Sequence, residues 1–252
     1  MASTSETGHA KNVGNFEVLI SFANGFGIIY NPTKNSIKTA VMTTLFGSAK
    51  SSLQTVKTTK TAFDNATNAR EIAFANLKKT CTRVVNALDA TDAAKQTLDD
   101  LKTINRKIQG KRAPGKKTKP VAQPAGDIAP QTPEIIQISD SQQSFDNLID
   151  NFGKFVVAVS AEPLYVPNET DLKANSLNTL LTNLKTANTA VINVTPPYRS
   201  AIIARNTLLY QNSTGLVDTA LEVKKYVKSV FGATSQQYKE ISGLQFKKLV
   251  KL

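Results

Sequence analysis

The sequence predicts an all-α protein made of two tandem, sequence-related antiparallel four-helix bundles joined by a Pro/Lys-rich linker. Three observations predict it. The first is an internal repeat. Tyr30 to Leu88, shifted by 135 residues without a gap, falls on Tyr165 to Val223 with identities at Tyr30/Tyr165, Pro32/Pro167, Lys38/Lys173, Thr44/Thr179, Leu45/Leu180, Lys50/Lys185, Val56/Val191, Ala66/Ala201, Ala69/Ala204 and Arg70/Arg205. The second is that apolar residues recur at three and four through most of both copies, the period of a helix with one buried face. The third is composition: the 252 residues hold no Trp and 40% apolar residues, enough for one large or two modest cores.

Taken in order, the first dozen residues are small and polar and read as disordered. A first helix then carries Phe16, Leu19, Ile20, Ala23 and Phe26 on one face and stops at Gly25 and Gly27. Its counterpart carries Phe145, Leu148, Ile149, Phe152 and Phe155, an offset of 129 that makes the following loop six residues longer in the second copy. After each Tyr-x-Pro corner, Ser36 or Thr170 is placed to cap a second helix. This helix is expected to end at Pro196-Pro197 in copy two and, by alignment, at Thr61-Ala62 in copy one. A third helix runs from Ala66 to Leu88, and its counterpart from Ala201 to Val230 with a kink at Asn212 to Gly215. The fourth begins at Thr91 and, with a Thr234/Gln237 capping box, at Thr234.

Between the copies, Gly110 to Thr132 has four prolines, no helical period and a run of basic residues, so an extended linker is expected. Pro133 to Ile138 is apolar enough to dock along a bundle, and Ser139 to Ser141 would cap the next helix. The domains expected are therefore 1–109, a 110–132 linker and 133–252, with a single eight-helix body as the alternative. Net charge is +12, from 31 basic and 19 acidic residues, and the short linker is the most basic part per residue.

At His9-Ala-Lys-Asn-Val-Gly-Asn-Phe16, Tyr30-Asn-Pro32, Asn68-Ala-Arg-Glu-Ile-Ala-Phe74 and Tyr226-Val-Lys-Ser-Val-Phe-Gly232 the chain resembles a group of uncharacterised bacterial helical proteins with duplicated halves. The resemblance implies a bacterial, cytoplasm-made protein. It carries no assigned reaction, cofactor or catalytic residue.

The residues themselves point away from catalysis. One cysteine, Cys81, and one histidine, His9, exclude an internal disulfide and Cys/His zinc sites, and neither a phosphate loop nor a metalloprotease helix is present. No catalytic, cofactor or metal residue is therefore assigned. Cys81 aligns with Leu216 and reads as a small core residue. Arg70 and Arg205, repeated beside an Ala stripe, read as structural arginines whose stems lie on apolar surface. The polyanion-binding candidates are Lys111, Arg112, Lys116, Lys117, Lys119, Lys247, Lys248 and Lys251. Their weakness is that no aromatics are interleaved with them. The leading functional reading is a non-enzymatic structural or protein-interaction bundle, with a protein partner or self-association. Weak, nonspecific nucleic-acid binding through the linker and tail is the alternative, and membrane attack by Phe16 to Tyr30 the third. No secretory signal or spanning segment is seen, which places the expected site of action in the cytoplasm.

Overall fold

A computed structural model describes residues 4–111 and 143–250, with side chains from Gly8 onward, and over these residues it is all-helical without a strand. The helices are α1 (Thr4–Gly25), α2 (Thr39–Phe74), α3 (Leu77–Asp89), α4 (Lys95–Gln109), α5 (Phe145–Ser160), α6 (Ala174–Tyr210), α7 (Leu216–Phe231) and α8 (Gln236–Ser242). The linker expectation beyond Lys111, the docking of Pro133 to Ile138 and the cap at Ser139 to Ser141 fall outside the described residues. Ser144 is the residue that caps α5, its side chain accepting from the Asn147 N–H.

The expected breaks at Thr61-Ala62 and Pro196-Pro197 do not occur. α2 runs through the first, and α6 holds both prolines in its interior. Each proline removes one N–H from the helical ladder, freeing the carbonyls of Ile192 and Asn193. Both of those residues are exposed, so water can take the freed carbonyls and the helix continues. The real ends lie further on. α2 stops before a turn at Ala75-Asn76, and α6 stops at Gln211 to Gly215, where Ser213 has φ 65°.

Continuous α2 and α6 change how the chain divides. Each is about 54 Å long, against about 24 Å for the 16-residue α5 and α7. One half of such a helix therefore needs partners that the other half cannot share. The chain accordingly forms two compact units that cut across the repeat: Met1–Asn65 with Asn193–Leu252, and Ala66–Ile192. The expected domains 1–109 and 133–252 are each split between them.

In the first unit, Val13, Phe16, Leu19, Ile20 and Ala23 of α1 and Met42 and Ala49 of α2 bury against Leu209 and Tyr210 of α6 and Leu216, Val217, Ala220, Val223 and Val227 of α7. In the second, Phe74 of α2, Leu77, Cys81, Val84, Val85 and Leu88 of α3 and Leu101 and Ile108 of α4 bury against Phe152, Phe155, Val156 and Val159 of α5 and Leu177 and Leu184 of α6. Each core thus joins the opening helix of one half of the sequence to the closing helices of the other half.

Burial also gives the two aligned stretches a different register from the one read in sequence. Buried Phe16, Leu19, Ile20 and Ala23 correspond to buried Phe152, Phe155, Val156 and Val159, an offset of 136 rather than 129. The loop that follows is therefore not six residues longer in the second copy. After α2 and α6 the offset becomes 139, because the break at Gln211 to Gly215 is longer than that at Ala75-Asn76. Leu77, Cys81, Val84 and Leu88 then match Leu216, Ala220, Val223 and Val227, all buried. Cys81 pairs with Ala220, not Leu216, and burial pushes its thiol up to about 12. Further corrections are local. α1 already begins at Thr4, inside the dozen residues expected to be disordered, and Ser235 rather than Thr234 caps α8 by accepting from the Tyr238 N–H. α4 opens at Lys95, and Ser36 and Thr170 lie in 3-10 turns before α2 and α6.

The Tyr-x-Pro corners do the same work twice. Tyr30 Oη donates to the Ile37 carbonyl at 2.6 Å and Tyr165 Oη to the Leu172 carbonyl at 2.8 Å, each seven residues on. Burial, then Glu169 and Asp171, push the Tyr165 hydroxyl up to about 12 against the opposing Arg83, and burial and Tyr226 raise Tyr30 as well. A tyrosine whose folded value is raised contributes stability fully present below its unfolded value and lost as pH climbs through the folded one. Stability should therefore fall between about pH 10 and 12, as read by urea titrations at stepped pH. Tyr165→Phe should cost about 1–3 kcal/mol at neutral pH by orphaning the Leu172 carbonyl, and should flatten part of that alkaline slope.

Candidate interaction site

α5 is more apolar than one buried face requires. Phe155 to Val159 is an unbroken apolar run, and a helix can turn only part of such a run inward. Phe155, Val156 and Val159 are buried, and Val157 is left 70% exposed. It ends a row with Ile149 and Gly153, spaced by four along one line of the helix. Together with Ala158 these residues floor a groove of about 650 Å³. Asp146, Asp150 and Lys154 of α5 and Lys185 of α6 supply its charged lining, and Lys154 Nζ meets Asp150 Oδ2 at 2.6 Å.

Gly153 leaves part of the groove's lining without a side chain. A Cβ there would meet only Leu181 Cδ2, at 3.9 Å, which is ordinary contact, so packing does not demand glycine. Glycine inside a helix costs about 1 kcal/mol relative to alanine, and the matching residue of α1 is Glu17. The cost therefore goes with an open floor and with no local conformational need. Sequence reasoning missed Gly153 and Val157, although the glycine inside a helical apolar pattern and the surplus valine were both legible signals.

The residues singled out from sequence are dispersed. The Arg70 guanidinium lies over the Phe145 ring, 3.9 Å from its centroid, and donates to Asn188 Oδ1 at 3.1 Å; Asn188 in turn donates to Asp146 Oδ1 at 2.7 Å. Arg205 is buried, with Nε and a terminal nitrogen on Asn206 Oδ1. His9, expected in a polar tail, is buried and shares a 2.5 Å hydrogen bond with Tyr210 Oη.

Of the basic candidates, Lys111 is exposed, and its backbone N–H donates to the Arg106 carbonyl. Lys248 Nζ is engaged by Asp218 at 2.9 Å and by Asn212 Oδ1 at 3.0 Å. Burial would raise the Asp218 carboxyl, but hydrogen bonds from Lys248 and the Ser213 N–H outweigh it and hold the group below the usual carboxylate range. The Lys247 side chain is exposed. Arg112, Lys116, Lys117, Lys119 and Lys251 lie outside the described residues.

The described residues on either side of the segment 112–142 meet. Gln143 donates to the Lys107 carbonyl at 3.0 Å and accepts from Lys78 Nζ at 3.1 Å. Gly110, at φ +73°, is the left-handed cap of α4, and a Cβ on it would come to 2.9 Å from Gln143 Cδ. The described residues that flank the segment in sequence thus lie together in the second unit, with Lys78, Lys107 and Lys111 among them.

Among the described residues no three His, Cys, Asp or Glu side chains gather as a metal site would require, and no helix is long and apolar enough to cross a membrane. Comparison of the chain with protein-family models, with curated proteins and with solved structures returned no match.

Proposed function

We propose that the protein is a non-enzymatic structural or protein-interaction protein that receives a partner in the α5 groove. The observation supporting this reading is Gly153, a helix-interior glycine that packing does not require and that opens an apolar floor between charged rims. An apolar strip rimmed by charge suits an amphipathic helix or an apolar segment of another protein. A photo-crosslinking residue at position 185, on the rim, should give a discrete protein adduct that saturates with partner concentration. Gly153→Leu should fill the floor and reduce the adduct tenfold or more, while Gly153→Ala should raise stability by about 0.5–1 kcal/mol. An adduct indifferent to Gly153→Leu would remove the groove from the proposal. Saturable turnover abolished by one point change would remove the non-enzymatic reading.

A second reading, weak and nonspecific polyanion binding, is favoured by the described lysines that adjoin the base of the basic segment. It would show as a gel shift lost as salt rises, and lost again when Lys111, Arg112, Lys116, Lys117 and Lys119 are neutralised.

A further inference from the structure

The last described residues, Leu244 to Val250, have no regular secondary structure and lie along α1 in the first unit. Asn15 Nδ2 donates to the Gln245 carbonyl at 2.7 Å. One helical turn earlier, Asn12 makes both bonds of an amide pair with Lys247: Nδ2 donates to its carbonyl at 2.8 Å, and Oδ1 accepts its N–H at 3.1 Å. One turn earlier again, Leu249 rests on Gly8, where a Cβ would lie 2.6 Å from Leu249 Cδ1. The tail therefore runs antiparallel to α1, stepping two residues for each turn of the helix. Its alternate side chains Leu244, Phe246 and Val250 pack on the core. Lys248, on the same alternation, reaches Asp218 and Asn212.

The second unit shows what this face of the helix looks like when it is built for a helix. The residue equivalent to Asn12 is Leu148, buried against the core that α4 completes. In the first unit the same position carries an amide that is 3% exposed. A buried amide is costly unless its donor and acceptor are both met. Its Oδ1 is met by the tail N–H and its Nδ2 by the tail carbonyl, with Tyr210 Oη at 3.3 Å. These bonds read main chain, so they bind any peptide backbone of the right course. Selection is left to the apolar seats and to Asp218.

We propose that the face of α1 bearing Gly8, Asn12 and Asn15, with Asp218 of α7 beside it, is a binding site for an extended peptide of a partner protein, and that the chain's own tail occupies it as an intramolecular competitor. The partner segment is apolar at its first and seventh positions, aromatic at the third and basic at the fifth, the order read from Leu244, Phe246, Lys248 and Val250. This site belongs to a different unit from the α5 groove and stands independently of it. A tethered tail competes at an effective concentration of about millimolar, so an outside peptide binds weakly until the tail is loosened.

The test uses the full chain and a fluorescent peptide of sequence Gly243 to Val250, followed by anisotropy. Phe246→Ser with Lys248→Glu loosens the tail without touching α1, and the peptide should then bind at least tenfold tighter than to the parent chain. Adding Asn12→Leu should abolish the gain while helical circular dichroism is kept, since leucine fills the matching position in the second unit. A peptide methylated on the Lys247 amide nitrogen should not bind. Should the double change unfold the chain, Lys248→Glu alone, at an exposed residue, serves with the same expected direction. No gain in a folded loosened variant overturns the proposal, as does equal binding to the Asn12→Leu variant or of the methylated peptide. Concentration-dependent dimers of the parent chain without peptide capture overturn it too, by giving the site to a second copy's tail.

Discussion

Cutting the chain once between residues 112 and 142 should leave a nicked protein that still elutes as one species. Its two fragments should part only in denaturant, and neither should refold alone. The reason is the composition of the cores. The N-terminal fragment supplies Phe16, Leu19 and Met42 to the first unit and Leu77, Cys81 and Leu101 to the second; the C-terminal fragment supplies Tyr210, Leu216 and Val223 to the first and Phe152, Phe155 and Leu184 to the second. Separating the fragments would open both cores at once, exposing several large side chains that each contribute about 1.5–3 kcal/mol by burial. A protease site introduced into this segment, with size-exclusion chromatography in buffer and in urea, reads the result. Independent helical fragments in buffer would mean that each sequence half builds its own core, as the repeat alone would suggest.

Phe152→Ala and Phe16→Ala should be the most damaging single changes, each costing about 3–5 kcal/mol in urea denaturation. Both side chains are fully buried and occupy matching places, one in each core. Against a typical total of about 5–15 kcal/mol, such a loss is a large fraction of the fold's stability. The comparison with Phe145 is diagnostic of register. An offset of 129 makes Phe145 the counterpart of Phe16, whereas the burial pattern makes it the counterpart of His9. Phe145 is only partly buried, edge-on to the Phe74 ring and beneath Arg70. Phe145→Ala should therefore cost less than Phe152→Ala by about 1–2 kcal/mol, within the range set by how much packing each removes. Equal losses would favour the other register.

The helices were legible because periodicity is a local property of a sequence. Partner choice was not. The apolar stripe of α1 fits the stripes of α7 and α3 about equally well by pattern, and only the unbroken length of α2 and α6 decides which it meets. Pro196-Pro197 hid that length, since proline inside a helix is costly unless the freed carbonyls are solvated, and exposure cannot be read from two letters. The break at Gln211 to Gly215, three residues longer than Ala75-Asn76, and one extra residue at the end of α6 displaced the alignment by about one helical turn, a shift that keeps an apolar stripe apolar and so gives no warning. Of the site residues, Gly153 was visible as an anomaly. Asn12 was not, because an asparagine on a helix looks solvent-facing until a peptide backbone is placed against it.

Phe63 and Tyr198, which a shift of 135 residues places on each other in sequence, stack with centroids 5.5 Å apart. Contact between equivalent positions is what two separate molecules of one kind make across a twofold axis. Here both rings belong to a single polypeptide, so their meeting does not depend on how many molecules are present. A contact that would weaken with dilution between separate chains is a first-order event within one chain.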